Sequence, residues 1–215
     1  MWNVRRVAVA VCAVTSAAEF ASAQFLPFAG DESAHVLFEN AAGSGLGLED
    51  FDSYSDGANV ASLPGLHVSF DDPLPFAQAY EASHIFARSE PNQLANRPPD
   101  SDVNNPYIIR PEPGLLISAL GLWETSSTPA GIDQLRLTAF DGNGLILGSV
   151  DTPFAGVAFA GFVVSSGASR VEISVLGNAD GRNGFDDLQI GTVPEPATVS
   201  LLVVAAGIIA LRRRR

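Results

Sequence analysis

Three groups of residues in this chain of 215 have types and spacings that could take part in chemistry. The first is Val193-Pro194-Glu195-Pro196, where two prolines bracket a carboxylate. Proline fixes its own φ and biases the residue before it toward extended backbone, so Glu195 is held out of a helix, as an endoprotease requires of its substrate. The second is Ala21-Ser22-Ala23 ahead of Gln24, small residues at the spacing of a signal-peptidase cleavage site. The third is a set of acids, Glu49, Asp50 and Asp52 early in the chain and Asp180, Asp186 and Asp187 late. Ca²⁺ takes roughly six to eight oxygen ligands, and such a set supplies them if the first and last strands of a sandwich lie side by side. Asp52 and Asp187 are then the preferred ligands and Asp186 the alternate, because adjacent strand residues point to opposite faces unless a bulge intervenes. The spacing of an EF-hand is absent, and hydrogen bonding into turns is the competing role for these acids.

The segments that would position the two processing sites are apolar. Ala197 to Leu211 carries no charge and only two hydroxyls, Thr198 and Ser200, so a helix there satisfies its own backbone in lipid. Its length as a helix is ~22 Å, short of the ~30 Å hydrocarbon core. Arg212, Arg213, Arg214 and Arg215 follow, and their long stems can extend the span while their charges mark the cytoplasmic end. At the other end, Arg5 and Arg6 precede an apolar run from Val7 to Ala18, the pattern of an export signal occupying residues 1–23. The mature chain would begin at Gln24. Cys12, the single cysteine, falls within that signal, so the mature chain would have no disulfide and no thiol nucleophile.

The tail from Val193 to Arg215 resembles the PEP-CTERM sorting signal of Gram-negative bacteria that possess an exosortase. Val193-Pro194-Glu195-Pro196-Ala197 matches its start, and the apolar run and arginine cluster match the remainder. The resemblance implies a single-pass intermediate in the cytoplasmic membrane and processing near Pro194-Glu195-Pro196 by a membrane-embedded cysteine transpeptidase. Delivery to the cell surface or an extracellular polysaccharide matrix would follow. It says nothing about the activity of the body that is sorted.

That body, residues 24–192, carries six arginines, no lysine and 22 acids, a net charge of −16. Such a field repels nucleic acid and anionic lipid and favours divalent cations, although a solvated acidic surface is the commoner meaning of charge alone. Its apolar runs are short and separated by Gly, Pro, Asn and Asp. They predict strands at His35–Glu39, Leu66–Phe70, Ser83–Ala87, Leu115–Trp123, Ile132–Phe140, Leu145–Val150, Val157–Val164, Arg170–Leu176 and Phe185–Ile190. Leu135, Leu137 and Ala139 alternate with polar neighbours, as do Val171, Ile173 and Val175, the period of a half-buried strand. Asp141-Gly142-Asn143-Gly144 is the strongest hairpin signal. No long amphipathic helix is expected; Gln24–Ser33 reads as an irregular lead-in, and the prolines and asparagines of Glu90–Pro106 read as a loop.

Regular strands without helical crossovers imply one all-β, antiparallel sandwich. The order of elements also resembles jelly-roll sandwiches, through Phe51-Asp52-Ser53-Tyr54, the segment from Leu137 to Gly144, and Gly184 to Ile190.

Enzymatic motifs are lacking. His35, His67 and His84 have no metal-ligand spacing, and there is no nucleophile elbow, phosphate loop or dinucleotide fingerprint. Trp123, Tyr54, Tyr80 and Tyr107 could stack on a sugar or pack internally. Two functions of different class follow. One is a non-catalytic structural, adhesive or polysaccharide-binding surface protein; the other is a hydrolase of exopolysaccharide, which would need two carboxylates ~5 to 9 Å apart across a cleft. The absence of a catalytic motif favours the first. The partners implied are signal peptidase, exosortase, the membrane through the tail, and exopolysaccharide.

Overall fold

The computed structural model describes residues 24–71, 78–81, 92–95, 106–126, 134–153, 157–176 and 183–196. The expected export signal, the apolar tail from Ala197, its four arginines and the expected strand Ser83–Ala87 lie outside them, as do Asp180 and His84. The strands are β1 (Phe25–Gly30), β2 (Leu46–Glu49), β3 (Ala58–Asn59), β4 (Ser62–Leu63), β5 (Val68–Asp71), β6 (Gln78–Glu81) and β7 (Asn92–Ala95), then β8 (Tyr107–Pro111), β9 (Leu115–Ser126), β10 (Gln134–Phe140), β11 (Ile146–Asp151), β12 (Ala158–Ala168), β13 (Arg170–Leu176) and β14 (Asn183–Pro194). Helix α1 spans Glu32–Ala42.

Among the described residues the strands form two antiparallel sheets. One runs β1-β12-β9-β14-β7-β6-β3, with β2 also on β14; the other runs β11-β10-β13-β8-β5-β4. This is the expected all-β sandwich. Leu135, Leu137, Ala139, Val171 and Ile173 are fully buried between the sheets, together with Leu120, Leu122, Phe162, Phe185 and Ile190. Alternation in the sequence therefore reads out directly as inward and outward faces.

The turn at Asp141–Gly144 also forms. Gly144 N–H donates to Asp141 O (3.1 Å), and Asp141 N–H to Leu145 O (2.9 Å). Gly144 has φ +81°, the left-handed region glycine enters freely. Gly142 is not among the residues of positive φ, so the turn needs that freedom at Gly144 and not at Gly142.

Three local expectations are corrected. His35–Glu39 is helical, not extended. Asp31 caps α1 by accepting from Ser33 N–H at 2.9 Å, Glu32 sits in the first turn, and Ala34, Phe38 and Ala42 recur every four residues on the face that meets the sheet. The lead-in is an edge strand, β1, with Pro27 in its middle, where a missing N–H is tolerated. Asn92–Ala95, within the expected loop, is β7.

Helix α1 seats in a notch made by two glycines. Gly121 of β9 faces Gly161 of β12, and a Cβ on Gly121 would stand 2.8 Å from both the Phe38 and the Phe159 rings. A second, smaller core of Phe38, Ala119, Trp123 and Phe159 forms there.

Candidate functional site

The first residues of the expected processing motif, Val193-Pro194-Glu195-Pro196, end the last strand. Val193 and Pro194 are the final residues of β14, opposite Leu116 and Leu115 of β9, and Glu195 N–H donates to Gly114 O at 3.0 Å. Proline at position 194 fits because the strand is ending and an N–H is no longer needed. Glu195 follows the end of β14 and is anchored to the sandwich by that bond, and Pro196 after it is already helical. Pro196 is exposed. Upstream, Ser118 is the extra residue of a bulge where Gly191 faces Ala119 and Thr192 faces Ile117, and its hydroxyl donates to Gly191 O (3.2 Å).

Gln24, the residue after the other expected boundary, is also hydrogen-bonded to the sheet. Gln24 N–H donates to Ser165 Oγ (3.0 Å), and Gln24 O accepts from Ser165 N–H (3.1 Å). Ala21 and Ala23, before that boundary, lie outside the described residues.

The acids proposed for calcium come together in topology. β2 pairs with β14, Glu49 opposite Leu188, so the Glu49–Asp52 segment runs beside Asp186 and Asp187. A bulge does intervene in β14 between Asp186 and Gln189, and Asp187 within it takes φ +47°, a conformation aspartate tolerates better than most residues. Phe51, fully buried, also has positive φ, +59°.

Four of the carboxylates accept a hydrogen bond from a backbone amide. Glu49 Oε1 accepts from Phe51 N–H (3.0 Å), Asp50 Oδ1 from Asp52 N–H (3.2 Å), Asp52 Oδ1 from Asn92 N–H (3.1 Å) and the fully buried Asp186 Oδ1 from Asp187 N–H (2.8 Å). Burial raises the Glu49 carboxyl pKa, opposed by the Phe51 amide and reinforced by Asp50. Burial, then the Glu49 charge, raises the Tyr54 phenol. Among the described residues no group of three or more His, Cys, Asp or Glu side chains is disposed to hold a metal ion. Asp52 fastens the turn after β2 onto β7, while Asp186 holds the amide of the bulge residue Asp187 within β14.

The remaining polar side chains singled out by sequence also serve the fold. His35 is the bolt of α1: its Nε2 meets Gln189 Oε1 at 3.1 Å, its Nδ1 meets Glu32 Oε1 at 3.2 Å, and its ring lies against Trp123 and Phe159. Gln189 Nε2 in turn donates to Glu39 Oε1 (3.1 Å). His67 bonds Glu112 at the surface. Trp123, only 4 % exposed, is covered by α1 and cannot form a sugar platform; Tyr107 packs edge-on against Phe185, and Tyr54 is half-buried against Phe51. The side chain of Tyr80 is outside the described set.

Sequence reasoning missed the buried pair of Glu124 and Thr152. The Thr152 hydroxyl donates to Glu124 and accepts from Leu135 N–H (2.8 Å), joining the two sheets. Both side chains are enclosed, Glu124 at 1 % and Thr152 at 0 % exposure, so this carboxylate faces no cleft. An isolated Glu near a strand end carries no sequence signal for such a role.

No family model matches the chain, and no curated protein matches it. Among solved structures, the enzymatically active domain of tailspike protein 4 from bacteriophage CBA120 aligns at 17 % identity with a TM-score of 0.29. That alignment covers 70 % of this chain and 20 % of the tailspike chain.

Proposed function

We propose that this chain is an exported surface or matrix protein, processed by an exosortase at Pro194-Glu195-Pro196, whose sandwich has a non-catalytic structural, adhesive or polysaccharide-binding role. The observation that carries the reading is the order of features in residues 193–215: the Val-Pro-Glu-Pro motif, an uncharged run of 15 residues, then four arginines. The geometry of the body supports it in one respect. Gln24 and Glu195, next to the two expected processing sites, are each hydrogen-bonded to the sandwich, Gln24 to Ser165 and Glu195 to Gly114. The body's acidity and lack of lysine suit a soluble domain among secreted polymers and disfavour nucleic acid as a partner.

In this reading signal peptidase releases residues 1–23, and the tail holds the body at the cytoplasmic membrane until exosortase acts. Fractionating cells with and without exosortase, followed by intact-mass measurement, tests it. The expected product in exosortase-positive cells starts at Gln24 and has lost the apolar tail, while cells without the enzyme retain the tail in the membrane fraction. Surface protein carrying an intact tail would overturn the reading. Glu195→Ala should leave export unchanged and keep the chain in the cytoplasmic membrane.

A further inference from the structure

Both processing sites lie at one end of the same sheet. β9 begins at that end with Leu115, and β14 runs antiparallel to it and finishes there with Pro194. β12 finishes there as well, since Ala168 faces Ile117, and β1 starts there, since Phe25 faces Val164. β1 and β14 are three strand positions apart, so Gln24 and Glu195 are separated laterally by about 14 Å. In the second sheet the same end holds the close of β8, the start of β13 and the hairpin tip between β10 and β11.

Apolar exposure concentrates at this end. Leu145 and Ile146, beside the hairpin tip, are the most exposed large apolar side chains described, at 66 % and 65 %. Leu26 in β1 and Val193 in β14 add to them. The other exposed large apolar side chains described, Val36, Leu37 and Leu48, belong to α1 and β2.

The linkers are short. From Glu195, which is hydrogen-bonded to Gly114, to Ala197, the first residue of the apolar run, is two residue steps, at most ~7 Å. One headgroup layer is about 5–8 Å thick. Sheet pairing through Pro194 thus leaves no length for the body to stand off from the bilayer. From Ala18 to Gln24 is six steps, at most ~21 Å, ample for the second connection. The export signal and the tail also have compatible directions, each presenting its outer end to the body.

We propose that this end of the sandwich is a bilayer-docking face, held against the outer surface of the cytoplasmic membrane by the tail, with Leu145 and Ile146 entering the interfacial layer. The inference rests on the sorting reading and adds the orientation of the body and its lipid contact. The occupant is the bilayer because both apolar segments of the chain continue from this face. The contact depends on the tether. Asp141, Glu112 and Glu195 at the same end outnumber Arg170, which is paired with Glu172, and with the body's net charge of −16 they give no attraction to anionic lipid, so removal of the tail removes the high local concentration that keeps the apolar tips in place. Processing then releases the whole face.

The test uses the full chain in a Cys12→Ser background, carrying a fluorophore at Asn143→Cys beside the hairpin tip or at Ser33→Cys at the start of α1, the opposite end. The protein is reconstituted in phosphatidylcholine vesicles containing a headgroup-level nitroxide lipid. The expected result is quenching roughly threefold or more stronger at position 143 than at 33, as an apolar tip in the interfacial layer requires, and loss of that excess in the Leu145→Ser, Ile146→Ser double variant, with unchanged sedimentation with vesicles. Equal quenching at the two positions in chains that sediment with vesicles overturns the docking face and leaves the sorting reading intact. Failure to sediment overturns both. Excess quenching that survives the double variant overturns the role given to Leu145 and Ile146.

Discussion

The ring of Phe25 lies directly on Gly148, so close that a Cβ there would stand 2.3 Å from the ring. Phe25 opens β1, at the edge of one sheet, and Gly148 lies in β11, at the edge of the other, so this contact closes one side of the sandwich. The Phe25 ring also stacks on Phe162, with centroids 5.1 Å apart. Gly148→Ala should lower stability by about 1–3 kcal/mol, the usual cost of overpacking. Urea unfolding of residues 24–192 measures it, and adding Phe25→Leu should recover part of the loss. Independent, additive effects would show that the two residues do not share this contact.

The notch under α1 gives a second prediction. Phe38 is fully buried and fills the space left by Gly121 and Gly161. Phe38→Ala should cost about 3–5 kcal/mol, as for other large buried aromatic truncations. Gly121→Ala should expel the ring and expose Trp123, seen as a red shift of its fluorescence. Unchanged emission from Gly121→Ala would contradict the fit.

Opposite pH dependences are expected from two carboxylates. Amides of Leu145, Asn143 and Gly144 hold the Asp141 pKa below its ordinary value, the Leu145 bond contributing most. A lowered folded pKa adds stability present above the unfolded value and lost as pH falls through the folded one, so the hairpin weakens under acid, below about pH 4. Burial raises Glu49, so its contribution is present below the unfolded pKa and is lost as pH rises through the folded one. Melting curves from pH 3 to about pH 6 should therefore show a smaller loss of stability at the acid end in Asp141→Asn, and a smaller loss on the rising side in Glu49→Gln. Identical profiles for wild type and both variants would contradict these assignments. Gly144→Val should destabilise the same hairpin by about 1–2 kcal/mol, because a left-handed residue cannot be β-branched without strain.

Asp52→Ala should cost about 1–3 kcal/mol by leaving the Asn92 amide without its acceptor. The structural role predicts equal melting midpoints in calcium and in chelator. A calcium-dependent rise that disappears when Asp52 and Asp187 are both changed to Asn would instead make this turn a metal site.

Much of the β architecture is legible in the sequence because a strand's period of two is local: Leu135-Leu137-Ala139 and Val171-Ile173 declare their inner face within a few residues. The hairpin at Asp141–Gly144 is local for the same reason, since its bonds span four residues. The Val193-Pro194-Glu195-Pro196 run, the uncharged stretch after it and the terminal arginines are likewise facts of sequence, as are the acidity of the body and the position of the single cysteine at residue 12. Tertiary structure decided the rest. His35–Glu39 became helix because Ala34, Phe38 and Ala42 have a notch to enter, and that notch exists only once Gly121 and Gly161 meet across β9 and β12. Asp52 became a brace because β7 arrived beside it, and Trp123 became core because α1 covered it. Gln24 and Glu195 share one end because of the pairing order β1-β12-β9-β14. Periodicity is written residue by residue, whereas the meeting of sheet edges distant in sequence depends on how every intervening strand packs.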